Sequence, residues 1–336
     1  MLRTPGTPLF SMLASFFLSG CGCLVSHPCA THSLIEKKDL LRDSFHSCSV
    51  STSQRAWTVY IPNGSPDEHG PPVLLLHEMP ALSGDVLDLG LRLKKEGFAV
   101  YIPLLFGKEN DNPRDPTLFV RRAISLSNDP AWLAGKGEVH RPIVDQVGAL
   151  CREYILPRHK GQRLGIIGNC VTGSIPIALL GEQPEVAELI APVISQPALP
   201  LPSCSAAAKK QTGVSAGELQ LAQQRVREDH LEILGFRFEC DGISPPERFA
   251  GLRNAFAISG REYFIDRTVP KKEYVGEDGL DKRSHSVLAG CYRPAEGSRI
   301  PSTEVAWCRL RNFLHAKLDG PAALPYHEEF PNRLLQ

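Results

Sequence analysis

The sequence has no charge excess of either sign: 37 Lys and Arg stand against 37 Asp and Glu. A phosphate backbone is held through a basic surplus, so nucleic acid is excluded as the main partner. There is no basic block, no heptad run and no internal repeat, which leaves no basis for a polybasic arm, a coiled coil or a solenoid. None of the ten cysteines forms a CxxC pair, so zinc-ribbon and thioredoxin-type readings have little support. The apolar run Leu9–Leu18 is too short to cross a bilayer as a helix. What is present is length and apolar content: 336 residues, 42% of them apolar. That is ample for a sizeable core, as one large α/β domain or two small ones.

The first residues have the layout of a signal peptide, with Arg3, then Leu9–Leu18, then small residues. Leu18–Ser19–Gly20–Cys21 resembles the box at which bacterial lipoproteins are lipidated and cut. That resemblance implies a signal over 1–20 and an acylated Cys21 that anchors the mature chain to the envelope membrane without spanning it. An ordinary cleaved signal is one alternative, and a cytoplasmic enzyme with a mis-assigned start is the other. Residues 21–43 read as a tether with weak helical character around Leu34–Leu41, and 321–336 as a C-terminal tail.

Residues 44–320 carry the pattern of one α/β domain. "SFHSCSV" and "RAWTVYIP" alternate as an antiparallel pair at a sheet edge. "PPVLLLHE" is a continuous apolar run, as a strand buried on both faces requires. "FAVYIP", "RLGIIG", "LIAPVIS", "LEILGFRFE" and "REYFI" read as further strands. Between them "GDVLDLGLRLKKEG", "RPIVDQVGALCREYIL", the segment after Cys170, the stretch opened by Ser215 and Glu218, "PPERFAGLRNAF" and "STEVAWCRLRNFLHAKL" read as helices. Residues 104–141 are polar, rich in Pro and Gly and without a clear period, hence a candidate lid insertion or a disordered loop. The alternation implies right-handed crossovers and a mostly parallel sheet with helices on both faces, with ligands at the carboxyl ends of the strands.

Four of those ends carry chemistry. After "VLLL" come His77, Glu78 and Met79; after "LGII" comes "GNCVTG" with Cys170; after "LGFRFEC" comes Asp241; and "SHSVL" holds His285. Nucleophile, acid, histidine is the chain order of α/β-hydrolases. A strand-to-helix elbow forces its nucleophile into a strained backbone and requires small neighbours. It displays the sulfur at a helix N-terminus, where thiolate is favoured over thiol. The N–H groups of Met79 and Val171 would form the oxyanion hole, Asp241 would orient His285, and His285 would take the thiol proton.

Most of residues 55–317 resembles the dienelactone hydrolase family, on "HEMPALSGDVLDLGLRLKKEGFAVYIPLLFG", "GNCVTG", "SQPALP", "LGFRFECDGISPPERF" and "HSVL". The resemblance implies an α/β-hydrolase fold, a Cys170–Asp241–His285 triad, and Glu78 as the acidic residue that holds the thiol ready. The implied activity is hydrolysis of small esters or lactones through a thioester, with no metal or organic cofactor. Two positions depart from the family. Thr172 stands where Gly is common, which crowds the elbow. Ala289 stands where dienelactone-cleaving members place an arginine for the substrate carboxylate, with Arg293 the nearest downstream candidate. The second departure weighs against dienelactone itself.

Blander readings stand beside these. Cys170 could be one more buried thiol, His285 a surface-loop histidine and Glu78 an ordinary surface carboxylate. Asp241 could be a helix cap before "PPERF". His77 reads as structural, as do Arg237 and Arg248 by default, although either arginine could bind a carboxylate. Trp132 could line a lid. In an oxidising compartment Cys29, Cys48, Cys151, Cys204, Cys240, Cys291 and Cys308 become disulfide candidates, and an exposed thiolate at Cys170 would be at risk of oxidation. The other function classes are a non-catalytic envelope lipoprotein that binds a ligand or partner on a hydrolase scaffold, and a redox sensor with Cys240 as resolving thiol.

Overall fold

The computed structural model describes residue 29 and residues 34–64, 70–132, 142–181, 186–200, 205–277 and 279–319. Eight strands form the main sheet, in the order β1 (Phe45–Ser51), β2 (Ala56–Pro62), β4 (Ala99–Pro103), β3 (Pro72–Leu76), β5 (Leu164–Asn169), β6 (Leu189–Ser195), β7 (Ile233–Phe238) and β10 (Phe264–Val269). β1 and β2 are an antiparallel edge pair, β2 is antiparallel to β4, and every pairing from β4 to β10 is parallel. All residues of β3, β4, β5, β6 and β7 are buried. A strand buried throughout must be covered on both faces, which is why these five read in sequence as unbroken apolar runs.

The helices are α1 (Leu34–Ser44), α2 (Gly84–Lys95), α3 (Pro116–Asn128), α4 (Pro142–Leu150), α5 (Ile175–Leu180), α6 (Ala206–Lys210), α7 (Ala216–Asp229), α8 (Pro246–Ala255), α9 (Lys271–Tyr274) and α10 (Ser302–Leu318). Local chemistry sets their starts. Ser83 caps α2 by accepting from Val86 N at 3.2 Å, and Ser215 and Glu218 close a reciprocal capping box on α7. α7 ends at His230, which adopts a left-handed conformation.

Four segments differ from the pattern expected of them. Residues 104–141 contain α3: Asp115 accepts from Thr117 N at 2.8 Å and Pro116 opens the helix. An Asp–Pro start signal was hidden there by the surrounding Pro and Gly. The last strand of the main sheet is β10, which takes only Phe264 and Ile265 of "REYFI" and runs on to Val269. Within that motif Arg261–Glu262 (β9) pairs instead with Ala257–Ile258 (β8). Ser259 and Gly260 between them both have positive φ, the requirement of a tight two-residue hairpin. The segment after Cys170 is a 3-10 turn, Cys170–Thr172, before α5 begins. Helix α4 passes into a π-helical turn over Cys151–Ile155.

The stretch read as a tether is fastened to the domain where it is described. Leu40 and Leu41 of α1 pack on the core, and the buried Lys37 ammonium donates to the carbonyls of Glu109 at 2.5 Å and Asp111 at 3.1 Å. Burial outweighs the attraction of Asp111 and Glu109 and lowers that ammonium to about 8. Of the disulfide candidates, Cys29 and Cys291 are joined, while Cys48, Cys151, Cys240 and Cys308 keep their thiols. By loop-closure entropy a cross-link over 262 positions contributes about 2–5 kcal/mol. The proposed signal over 1–20, Cys21, Cys204 and the tail lie outside the described residues.

Candidate active site

β5 delivers Cys170 into an elbow with φ of +55°. That region costs a non-glycine residue about 1–3 kcal/mol and persists only where its surroundings over-determine it. The surroundings here are dense. Cys170 O accepts from Gly173 N and Ala198 N, both at 2.9 Å. A Cβ at Gly168 would lie 2.4 Å from the Thr172 carbonyl oxygen, and one at Gly173 would lie 2.7 Å from Pro197 Cα. Both glycines are therefore required by space. Thr172, expected to crowd the elbow, braces it instead: its hydroxyl accepts from Asn169 N at 2.9 Å and donates to Asn169 O at 2.8 Å. Asn169 Nδ2 then donates to Leu76 O at 3.0 Å, pinning the elbow to the end of β3.

Asp241 follows β7 in a turn. Its Oδ1 accepts from Ile243 N at 2.9 Å and Ser244 N at 3.0 Å, and its Oδ2 lies 2.7 Å from His285 Nδ1. The N-terminal cap of α8 is Pro245, so Asp241 shapes the turn before the helix and is aimed at the imidazole. Burial by itself would push His285 down. The charges of Asp241 and Cys170, with side-chain hydrogen bonding to both, outweigh it and raise the ring well above the ordinary histidine value. A nitrogen favoured as a cation, between a carboxylate and a sulfur, is the electrostatic condition for removing a thiol proton.

Leu76 and Gly168 are paired neighbours in the sheet. Glu78 and Met79 after one, and Cys170 and Val171 after the other, therefore emerge side by side. Glu78 is 5% exposed. Its Oε1 accepts from Ser286 Oγ at 2.8 Å and its Oε2 from Gln196 Nε2 at 3.3 Å. Burial raises this carboxyl from 4.5 to about 7, with the Asp85 charge adding to it, against the lowering effects of His285, Ser286 and Gln196. Keeping it ionised in the fold costs about 3 kcal/mol. The folded chain thus retains a proton that the unfolded chain releases, so stability present near pH 4 is lost as pH rises from 4.5 to about 7. Glu78→Gln is expected to be about 2–3 kcal/mol more stable than wild type at pH 8 and no more stable at pH 4, by urea unfolding at both. An equal difference at the two pH values would remove this account of Glu78.

The other singled-out residues are structural or lie to one side. His77 accepts from Leu105 N through Nε2 at 3.0 Å, so its Nδ1 donates to Glu78 O at 3.1 Å. Burial lowers it to about 4; it is a neutral bracket between two strand ends. Arg237 donates to the carbonyls of Ser244 and Glu239, both at 2.8 Å. Arg248 donates to Pro197 O at 2.6 Å and Gln211 O at 2.8 Å. Both guanidinium groups are engaged by main-chain carbonyls. Ala289 is buried, and Arg293 turns onto its own loop, donating to Tyr292 O at 2.8 Å. Trp132 packs edge-on against Phe106 at 5.5 Å, and Phe106 against His77 at 4.4 Å, so it joins the wall behind the strand ends. Cys240 is exposed. Among the described residues no group of three or more His, Cys, Asp or Glu is arranged to hold a metal ion. Two members of the site have no role assigned from sequence: Ser286, next to His285, and Gln196, which follows β6.

No protein-family model and no curated sequence matches the chain. Solved structures do. A Klebsiella pneumoniae protein described as a dienelactone hydrolase is 20% identical, with a TM-score of 0.52, over 79% of this chain and 95% of that one. A dienelactone hydrolase-like promiscuous phosphotriesterase from metagenomic libraries is 16% identical, with a TM-score of 0.53, over 82% and 99%. The acylaminoacyl peptidase of Pyrococcus horikoshii is 11% identical, with a TM-score of 0.52, over 88% of this chain and 44% of that one. At such identities the likeness concerns the fold. A mostly parallel eight-stranded sheet with its elbow after the third parallel strand, superposing on these structures, is the α/β-hydrolase fold.

Proposed function

We propose that the protein is a thiol-dependent hydrolase of small esters or lactones. The observation that carries this reading is the convergence of two strand ends and one loop: a cysteine in a strained elbow, a carboxylate after β7, and an imidazole that interacts with the sulfur and lies 2.7 Å from the carboxylate through its other nitrogen. His285 takes the thiol proton as Cys170 Sγ attacks the acyl carbon. The carbonyl oxygen becomes an oxyanion facing the N–H groups of Val171 and Met79. As the tetrahedral species collapses, His285 returns the proton to the departing alkoxide, leaving an acyl thioester on Cys170. A water then gives a proton to His285 and attacks the thioester. Collapse expels the sulfur, which recovers the proton, and the carboxylic acid leaves.

The nearby arginines are engaged with main-chain carbonyls and position 289 is a buried alanine. These features support an uncharged acyl group over one bearing a carboxylate. The reading includes export, with Cys21 acylated and the domain held at an envelope membrane. The Cys29–Cys291 disulfide supports it, because such bonds persist in oxidising compartments, and burial of Cys170 to 2% exposure shields the reactive sulfur there. The test is to mix the protein with excess p-nitrophenyl acetate at low pH and quench. Intact mass is expected to show one added acetyl, mapped to Cys170. An unmodified Cys170 across an ester panel would leave only the non-catalytic scaffold.

A further inference from the structure

Gln196 follows the last residue of β6 and has φ of +35°, a left-handed backbone shared within the site only with Cys170. Its side chain has no solvent exposure, so its amide must be satisfied internally or incur the cost of burying an unpaired polar group. Oε1 accepts from Ser195 Oγ and from Val287 N at 3.4 Å, while Nε2 donates to Glu78 Oε2 at 3.3 Å. A main-chain N–H can only donate. Val287 therefore fixes the oxygen end of the amide, and the nitrogen end has to face Glu78. Ser286 obeys the same logic. Gly290 N donates to its Oγ at 2.9 Å, leaving the hydroxyl proton for Glu78 Oε1 at 2.8 Å. Each carboxylate oxygen thus receives one donor, and each donor is oriented by an N–H of the loop that follows His285. The backbone of Gln196 completes the link: its N–H donates to Phe236 O at 2.7 Å, and two residues on Ala198 N holds the Cys170 carbonyl.

We propose that Gln196 is a positioning residue: its amide, locked by the loop of His285, fixes the carboxylate of Glu78 beside the nucleophile and favours its ionised form. A carboxylate accepts both donors. A carboxylic acid has to turn a proton outward, and the Gln196 nitrogen cannot accept it. The charge of Glu78 is thereby tied to the seating of the histidine loop. The charged and titratable groups acting on Glu78 are His285 from that loop and Asp85 from the start of α2; Cys170 follows the neighbouring strand end, and the adjacent His77 is held neutral.

The variant is Gln196→Met, which keeps length and volume and deletes Nε2. Two readouts are compared with wild type: the carboxyl titration of Glu78 by 13C NMR of glutamate-labelled protein, and the pH profile of kcat/KM. Losing a donor to the ionised form moves the midpoint upward, by about 0.5–1 pH unit, and the matching limb of the pH profile moves with it while KM stays within about twofold. Gln196→Glu, isosteric and able to keep the bond from Val287, places a second carboxyl against Glu78. It is expected to move the midpoint further, by more than about 1 unit. A folded variant of either kind with an unmoved Glu78 titration overturns the inference, whatever its activity. The inference rests on the hydrolase reading only for the pH profile. If wild type hydrolyses no ester, that reading falls while the NMR titration still decides the role of Gln196.

Discussion

Cys170→Ala is expected to lower turnover of a small activated ester by at least about 10³-fold, while far-UV circular dichroism and the unfolding midpoint stay near wild type. Catalytic groups that act as a unit lose nearly the whole benefit when one is removed. Alanine cannot form the thioester, and Met79 and Val171 would then stabilise an oxyanion that nothing generates. The fold should tolerate the change, because alanine removes a single buried sulfur and the elbow is held by main-chain and Thr172 contacts. The loss in stability should be about 1 kcal/mol. Wild-type rates in this variant, with p-nitrophenyl acetate as substrate, would end the thiol mechanism and leave the fold intact.

Asp241→Asn is the second large effect, and it separates orientation from mere packing. Asn Oδ1 can still accept from Ile243 N and Ser244 N, so the turn survives. Its amide nitrogen would then face His285 Nδ1, make that atom an acceptor, and leave the ring proton on the nitrogen needed as base. The wrong tautomer is expected to reduce kcat by about 10²–10⁴-fold at neutral pH. The charge of Asp241 is the leading influence raising His285, so the imidazole should titrate lower in the variant. The linkage has a definite sign. A histidine raised by folding contributes stability that is fully present below about 6.5 and is lost as pH rises through its folded value. That part of the pH dependence should shrink in Asp241→Asn. Activity within about threefold of wild type, with an unchanged imidazole titration, would remove Asp241 from the mechanism.

The parts legible beforehand share one physical cause. A parallel strand buried on both faces must be apolar at every position, so "VLLL", "LGIIG" and "LIAPVIS" announce themselves, and polar residues immediately after them stand out as strand ends. That nominates Glu78, Cys170 and Asp241 as candidates; His285, a long loop after the last strand, is nominated by the order nucleophile, acid, histidine. Gln196 also follows such a strand, and "SQPALP" contributes to the family resemblance, yet the string assigns the glutamine no role. Its meaning lies in a left-handed backbone and in N–H groups about ninety positions further along the chain. Thr172 differs from its expected role for a related reason. A side chain counted as bulk in a linear motif turned out to be a hydrogen-bond brace. α3 leaves little trace in composition, because Pro and Gly on either side mask the Asp115–Pro116 start.

Periodicity and strand-end chemistry, both local properties of the chain, were enough to specify the α/β architecture and to nominate a thiol, a carboxylate and an imidazole in hydrolase order. Which cysteines pair, which arginines are occupied by main-chain carbonyls, and how Glu78 is held between Ser286 and Gln196 depended on contacts between residues up to 262 positions apart. Such contacts leave no periodic trace, because hydrogen-bond partners are selected by distance and direction in space, and those are settled only when the sheet has closed.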